Sequence, residues 1–375
     1  MDLDFSEEQQ VLRDMVRGVC QEYCPVTTVR EMEDDPKGYP EEFWKQISEM
    51  GLVGVLVPEA YGGSGQSMLE AVIVHEELGR ALAPSPAFVS GVLGTGALLA
   101  AGSEEQKQDW LPRLASGEAI WTPAWLEPGG GFGAKGVQLR ARREGEELLL
   151  SGRKRHVHFA SSASRLLVPV RSGDGLADID LLLVDPRAPG VRLEQRRTLA
   201  ADTQYDVFFD EVRVPLEDRL GAAGEGWAVW DAVMHDALIV LAAQAMGGAD
   251  RALEITVQYA KERTQFGKPL GAFQAIAHYL ADASTQVEGG RTLVYEAAWA
   301  RSEGRSIARL APMAKLFACQ TYRDLTAMCQ QVWGGVGFTI EYDIQLFFRR
   351  AKQLQITWWD TRALEEKVAA DVLDR

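Results

Sequence analysis

The stretch Glu262-Arg263-Thr264-Gln265-Phe266-Gly267, with Phe273-Gln274 just after it and Gln331-Val332-Trp333-Gly334-Gly335-Val336-Gly337-Phe338 some 60 residues on, decides how this chain is read. Arg263 stands at a predicted helix end and offers a permanent cation with a forked donor face, suited to a pyrophosphate. Gln274 adds an amide. The turn Gly334-Gly335-Val336-Gly337 lets backbone N–H groups approach a ligand closely, as only glycine-rich loops do. It follows no strand, so it is not the fingerprint of a dinucleotide-binding βαβ unit. Taken alone, its glycines serve equally well to end one helix and begin another.

Outward from this stretch the pattern is helical. Periodic apolar residues run over about Ala228 to Arg263, Phe273 to Ser302, Ile307 to Trp333 and Gln355 to the end, joined by short glycine-containing loops, as in an up-and-down bundle. Leu238-Ile239-Val240-Leu241 in succession predicts a helix buried on several sides. At the other end, Val11, Leu12, Met15, Val16 and Val19 recur at helical steps after Ser6-Glu7-Glu8-Gln9, which fits an N-cap with a glutamine partner. Between them the pattern changes to short runs bounded by turn residues: Glu147 to Leu150, Leu166 to Val170, Ile179 to Val184, Val191 to Leu193 and Val207 to Val214. Such spacing predicts an antiparallel sheet or small barrel. The expected fold is α+β, with an N-terminal all-helical domain over 1–118, a middle β domain over 119–222 and a C-terminal four-helix bundle over 223–375.

Composition limits the function classes. The chain has 375 residues, 46% of them hydrophobic, enough for a large core and two or three domains. Its 39 basic and 54 acidic residues give a formal charge of −15, so nucleic acid is not an expected partner. The local cluster Arg349-Arg350-Ala351-Lys352 reads as a solvated helix face or an anion contact. Cys20 and Cys24 have no histidine or further cysteine nearby to complete a zinc site, so all four cysteines, with Cys319 and Cys329, are expected as buried thiols and no metal is expected. The first residues, Met1 to Glu8, are acidic where leaders are basic, and no apolar stretch is expected to approach about 18 residues. A cytoplasmic location without membrane insertion is the expectation.

Taken in order, these segments resemble the acyl-CoA dehydrogenase family over nearly the whole chain. Pro58-Glu59-Ala60-Tyr61-Gly62-Gly63 looks like its N-domain turn, and Phe208-Phe209-Asp210-Glu211-Val212-Arg213-Val214-Pro215 with Gly224-Glu225-Gly226-Trp227 looks like its exit from the β domain. The resemblance implies FAD as cofactor, an acyl-CoA substrate, an electron-transfer acceptor, a place in lipid metabolism and a homo- or hetero-oligomer. It assigns cofactor contacts to Arg263, Phe266, Gln274, Gln331, Gly334 and Gly335, the last three reaching the FAD of a neighbouring subunit. The phrases that would meet the flavin ring depart from the family pattern: Leu126-Glu127-Pro128-Gly129-Gly130-Gly131 lacks a hydroxyl at Leu126, and Lys154-Arg155-His156-Val157-His158 carries histidines where Trp and Thr are usual. His156 or His158 is a candidate replacement donor, or both are exposed strand residues.

The family reaction removes the α proton of the thioester with a carboxylate while a hydride passes from the β carbon to the flavin. Matched through Arg349 to Lys352, the usual glutamate position falls on Trp358; the alternative position on the first long C-terminal helix falls on Ala237. Neither accepts a proton. Three readings stay open: Asp236 or Asp360 serves as the base, the chain is the non-catalytic subunit of a heteromeric dehydrogenase, or the fold uses flavin without desaturation. Bulky Trp358 and Trp359 would reshape the acyl cavity under all three.

Overall fold

The computed structural model describes residues 5–373. Helices α1 (Glu7–Tyr23), α2 (Val26–Glu31), α3 (Glu41–Glu49), α4 (Met68–Arg80), α5 (Thr95–Ala101) and α6 (Glu104–Ala115) come first. Strands β1 (Trp121–Pro123), β2 (Ala141–Glu144), β3 (Glu147–His158), β4 (Arg165–Arg171), β5 (Ile179–Val184), β6 (Val191–Arg196), β7 (Gln204–Pro215) and β8 (Arg219–Leu220) follow. Helix α7 (Gly226–Glu262) leads into the hairpin β9 (Thr264–Gln265) and β10 (Lys268–Pro269), and then come α8 (Gln274–Ser302), α9 (Leu310–Trp333), α10 (Ile344–Ile356) and α11 (Thr361–Leu373). This is the α+β order read from the sequence, helical then β then helical.

By density of internal contacts the chain divides into two compact units. The first takes in the described residues up to Arg30, 68–83, and those from Leu238 on. Its α1 begins as expected: Ser6 Oγ accepts from Gln9 N at 3.2 Å while Gln9 Oε1 accepts from Ser6 N at 3.1 Å, a reciprocal capping box. In α7, Leu238, Ile239, Val240 and Leu241 are all buried, so the helix is apolar around its circumference. A Cβ on Gly247 would lie 1.8 Å from Glu76 O, so only glycine lets α7 approach α4 this closely. Contrary to the expectation of no apolar stretch near 18 residues, the 37-residue α7 is long and apolar enough to cross a membrane, but 78% of its most apolar window is buried, as in the core helix of a folded domain.

Charged groups inside this unit are paired, because an unpaired buried charge is costly. Glu76 accepts from Tyr295 Oη at 2.5 Å and Arg291 Nε at 2.8 Å; Glu77 accepts both fork nitrogens of Arg17 at 2.8 and 2.7 Å. These bonds tie α1 and α8 to α4. The C-terminal segment differs from expectation. A helix, α10 (Ile344–Ile356), lies where none was expected, and the helix expected from Gln355 onward begins only at Thr361, after Trp358 and Trp359, which take left-handed φ angles of 53° and 68°.

The second unit comprises 31–67 and 84–237 and holds the β domain. One sheet has the order β1-β4-β5-β8, the other β2-β3-β7-β6, and every pairing except the parallel β1 with β4 is antiparallel. Side chains such as Leu148, Leu150, Val157, Leu166, Val168, Leu182, Val207 and Phe209 form its core. The central pair β3 and β7 slips register twice, between Leu150 and Gly152 and between Lys154 and Val157. Each slip kinks the strand and changes which side chain faces in. The four cysteines are buried free thiols, and among the described residues no cluster of three or more metal-ligating side chains forms.

Candidate cofactor site

Helix α7 ends at Glu262, and the chain turns through Phe266 and Gly267, both at positive φ (52° and 79°), to form the β9–β10 hairpin. Two positive φ angles in a two-residue loop make the turn whose twist suits a tight hairpin. Arg263 is fixed by its backbone: its N–H donates to Tyr259 O and its carbonyl accepts from Leu270 N, both at 2.8 Å. Its guanidinium is exposed and has no hydrogen-bond partner among the described residues. Phe266 is 92% exposed at the hairpin tip, with its ring edge toward Phe273, an arrangement that burial alone does not explain. Gln274, the first residue of α8, is exposed as well.

The second group lies at the end of α9. Gln331 is exposed in the last turn, Gly334 leaves the helix at φ 67°, and a Cβ at Gly334 or Gly335 would meet nothing within 4 Å. The turn is anchored to α7 from within: Trp333 stacks on Tyr259 with ring centroids 4.1 Å apart, and its Nε1 donates to Thr256 Oγ1 at 3.0 Å. Tyr259 lies one helical turn before Arg263. The structure thus hangs both groups on the end of one helix, with cation, amides and bare backbone facing outward. This donor set fits a polyanionic ligand such as FAD.

In the second unit the two phrases expected at the flavin ring are pinned together by the ion pair of Glu127 and Lys154. Glu127 accepts from Lys154 Nζ at 2.6 Å and from the N–H groups of Gln138 and Leu139 at 3.0 Å. Lys154 also donates to Pro169 O at 2.7 Å and is fully buried; burial pulls its pKa down to about 8 against the raising effect of Glu127. A Cβ on Gly130 would sit 2.5 Å from Gly136 O, which requires glycine there, while Gly129 and Gly131 take left-handed φ angles of 72° and 74° with open space around them. The two histidines separate: His158 is buried, and His156 is exposed at φ 56°, in the second register slip of β3.

At the positions where a base was sought, Ala237 is fully buried in α7 and Trp358 is 5% exposed. Asp236 is half-buried. Asp360 accepts from Ala363 N at 3.0 Å and so caps α11. The Thr357–Trp359 turn is held by the buried ammonium of Lys315, which donates to Thr357 O and Trp359 O, each at 2.7 Å. Burial lowers the pKa of Lys315 to about 8. Replacing it with methionine leaves the Trp359 carbonyl unpaired and buried and the Thr357 carbonyl unpaired and part-buried, so Lys315→Met is expected to cost on the order of 2 kcal/mol net. The check is a lower urea midpoint with unchanged slope.

A profile of the acyl-CoA dehydrogenase N-terminal domain matches residues 6–118, and one of the acyl-CoA dehydrogenase C-terminal domain matches residues 224–358. The chain belongs to the acyl-CoA dehydrogenase family. It is 32% identical to a probable acyl-CoA dehydrogenase of Bacillus subtilis over 95% of each chain. Its structure resembles butyryl-CoA dehydrogenase from Megasphaera elsdenii with a TM-score of 0.92 at 27% identity, covering 100% of both chains. A chain of the ChsE4–ChsE5 complex from Mycobacterium tuberculosis gives a TM-score of 0.91, also at 27% identity and full coverage. Acyl-CoA dehydrogenases and the reductases related to them are FAD-dependent oxidoreductases, and FAD is the cofactor of this chain.

Proposed function

We propose that this chain serves α,β-desaturation of an acyl-CoA thioester within a cytoplasmic oligomer that hands its electrons to a separate acceptor. The observation that carries the reading is the outward-facing half-site at the end of α7. The side chains of Arg263, Gln274 and Gln331 are all exposed and without hydrogen-bond partners among the described residues, and the glycine turn beside them is open. A site built this way is finished by a second chain. Arg263 and Phe266 would hold the pyrophosphate and adenine half of FAD from one subunit, and Gln331, Gly334 and Gly335 would reach the FAD of the other. Bound FAD supplies the hydride acceptor; the chain's own residues orient it and keep water away. Functionally, the chain divides at 1–118, 119–222 and 223–375.

A second reading has an observation of its own. With a methyl group at Ala237, an indole at Trp358 and Asp360 used as a helix cap, the chain lacks a carboxylate at either usual base position. It then acts as the supporting subunit of a heteromeric dehydrogenase whose partner carries the glutamate. Likeness to a chain of a two-protein complex, ChsE4–ChsE5, supports this arrangement.

The purified assembly is expected to be yellow and to lose its flavin colour anaerobically on addition of an acyl-CoA. A colourless protein, or a yellow one that no acyl-CoA bleaches even with a glutamate-bearing homologous chain present, points to a binding module instead.

A further inference from the structure

The sheet β2-β3-β7-β6 turns an arginine-rich face away from the core of the β domain. Val207 and Phe209 of β7 pack inward, so Asp206 and Phe208 alternate onto the other side. Phe208 stands in a cross-strand row between Arg153 of β3 and Arg192 of β6, and both guanidiniums lie over its ring, 5.0 and 4.0 Å from the centroid. Asp206 is fully buried beneath the arginines. Arg196 Nε donates to its Oδ2 at 2.6 Å, Arg153 donates to the same oxygen, and Arg155 Nε lies 3.5 Å from Oδ1. Burial works against the Asp206 charge, but the bonds from Arg196 and Arg153 outweigh it and hold the carboxyl below the usual range. Glu194, directly across from Asp206 on β6, accepts from Arg196 Nη2 at 2.6 Å and from Arg192.

Four arginines thus meet two carboxylates on a patch of three strands, which leaves it positive in a chain whose formal charge is −15. Their side chains are between 35% and 58% exposed, so each guanidinium is tied along one edge and open to solvent along another. Surface pairs of this kind add little stability, so folding alone does not account for four cations held side by side against their repulsion. Binding does. An arginine already fixed loses less freedom on meeting an anion than a mobile one, and arginine and aromatic side chains are those enriched where proteins meet. Arg153 and Arg155 also flank Lys154, the buried lysine whose pair with Glu127 pins the two phrases expected at the flavin ring.

We propose that the arginine face of β3, β7 and β6 docks an acidic electron carrier, the acceptor to which the assembly hands its electrons. The proposal rests on the reading that the assembly is a flavoprotein with a separate acceptor. Charge selects the carrier and its place: an acidic protein is repelled by a chain of net charge −15 and drawn to this patch, which steers its approach.

Acidic plastocyanin and basic cytochrome c, both one-electron acceptors, are the probes. Docking is read first without electron transfer, by titrating copper(I) plastocyanin into the full chain, which needs no flavin. Arg192→Glu combined with Arg196→Glu is expected to weaken docking about tenfold or more. The same charge change at the exposed Arg140 and Arg362 is expected to alter it less than about twofold. Equal losses in the two reversals, or none in either, overturn the proposal. Should the first reversal not fold, Arg192→Gln combined with Arg196→Gln decides, with a loss of about threefold expected. In the FAD-loaded assembly, reduced anaerobically with dithionite, each reduced flavin gives two electrons to two copper(II) centres and its protons to solvent. The plastocyanin rate is expected to fall about tenfold between roughly 20 and 200 mM salt and to lose that dependence in the Arg192 and Arg196 reversal, while cytochrome c shows neither effect. A salt dependence that survives the reversal overturns the proposal. So does dissociation of the unaltered assembly's copies by the reversal, which makes this face an interface between copies. If the chain takes up no FAD in any assembly, the flavoprotein reading fails and the proposal falls with it; the flavin-free titration separates that failure from a loss of docking.

Discussion

Purified alone and loaded with FAD, the chain is expected to oxidise butyryl-, octanoyl- and palmitoyl-CoA about 10²–10⁴-fold more slowly than a family member that has its glutamate, the range a positioned general base contributes. Ala237 offers only a methyl group, and the indole of Trp358 can donate but not accept. Nor can the turn easily reshape itself, because Lys315 holds the carbonyls on both sides of Trp358, and Lys367 lies 3.7 Å over the ring of Trp359. Asp360 is occupied as the cap of α11. Anaerobic flavin bleaching by each acyl-CoA gives the rate directly. Ordinary enzyme rates from the homomer would mean that a base exists elsewhere, and Asp236→Asn and Asp360→Asn are then the first variants to compare. Bleaching that appears only with a homologous chain bearing a glutamate assigns the supporting role to this one.

Arg263→Ala is expected to weaken FAD binding tenfold to a hundredfold. A hydrogen bond to a charged group contributes about 1.5–3 kcal/mol, and each 1.4 kcal/mol is about a factor of ten in affinity. The arginine is well suited to test because its side chain has no partner within the described chain, so its loss leaves the hairpin and its backbone bonds standing. The measurement is flavin content after dialysis. A variant that keeps its flavin as well as the unaltered chain does would move the pyrophosphate away from the end of α7.

Much of the architecture was legible because periodicity reports burial. Strand β5, Ile179–Val184, was read residue for residue, since a run of apolar residues between turn signals has few other outcomes. Helix α8, beginning at Gln274, lay within one residue of its expected start. The break between α10 and α11 was not legible. No glycine or proline marks it, and what makes two left-handed tryptophans tenable is Lys315, which lies more than forty residues earlier in the chain. The faces taken by His156 and His158 were closed to sequence for a different reason. Alternation along a strand assigns faces only while the register is regular, and β3 slips between Lys154 and Val157. The Glu127–Lys154 pair lies within phrases quoted from the sequence, yet a buried ion pair cannot be told from two surface charges until the strands are in place.

We propose that the FAD site at the end of α7 belongs to two chains and not to one. Native mass spectrometry of the protein purified from its own cells, with the flavin-to-chain ratio read for each assembly state, tests this most directly. FAD is expected in dimers or larger assemblies, homomeric or with a glutamate-bearing partner, and is expected to be lost when dilution separates them. A folded monomer that retains stoichiometric FAD would contradict it.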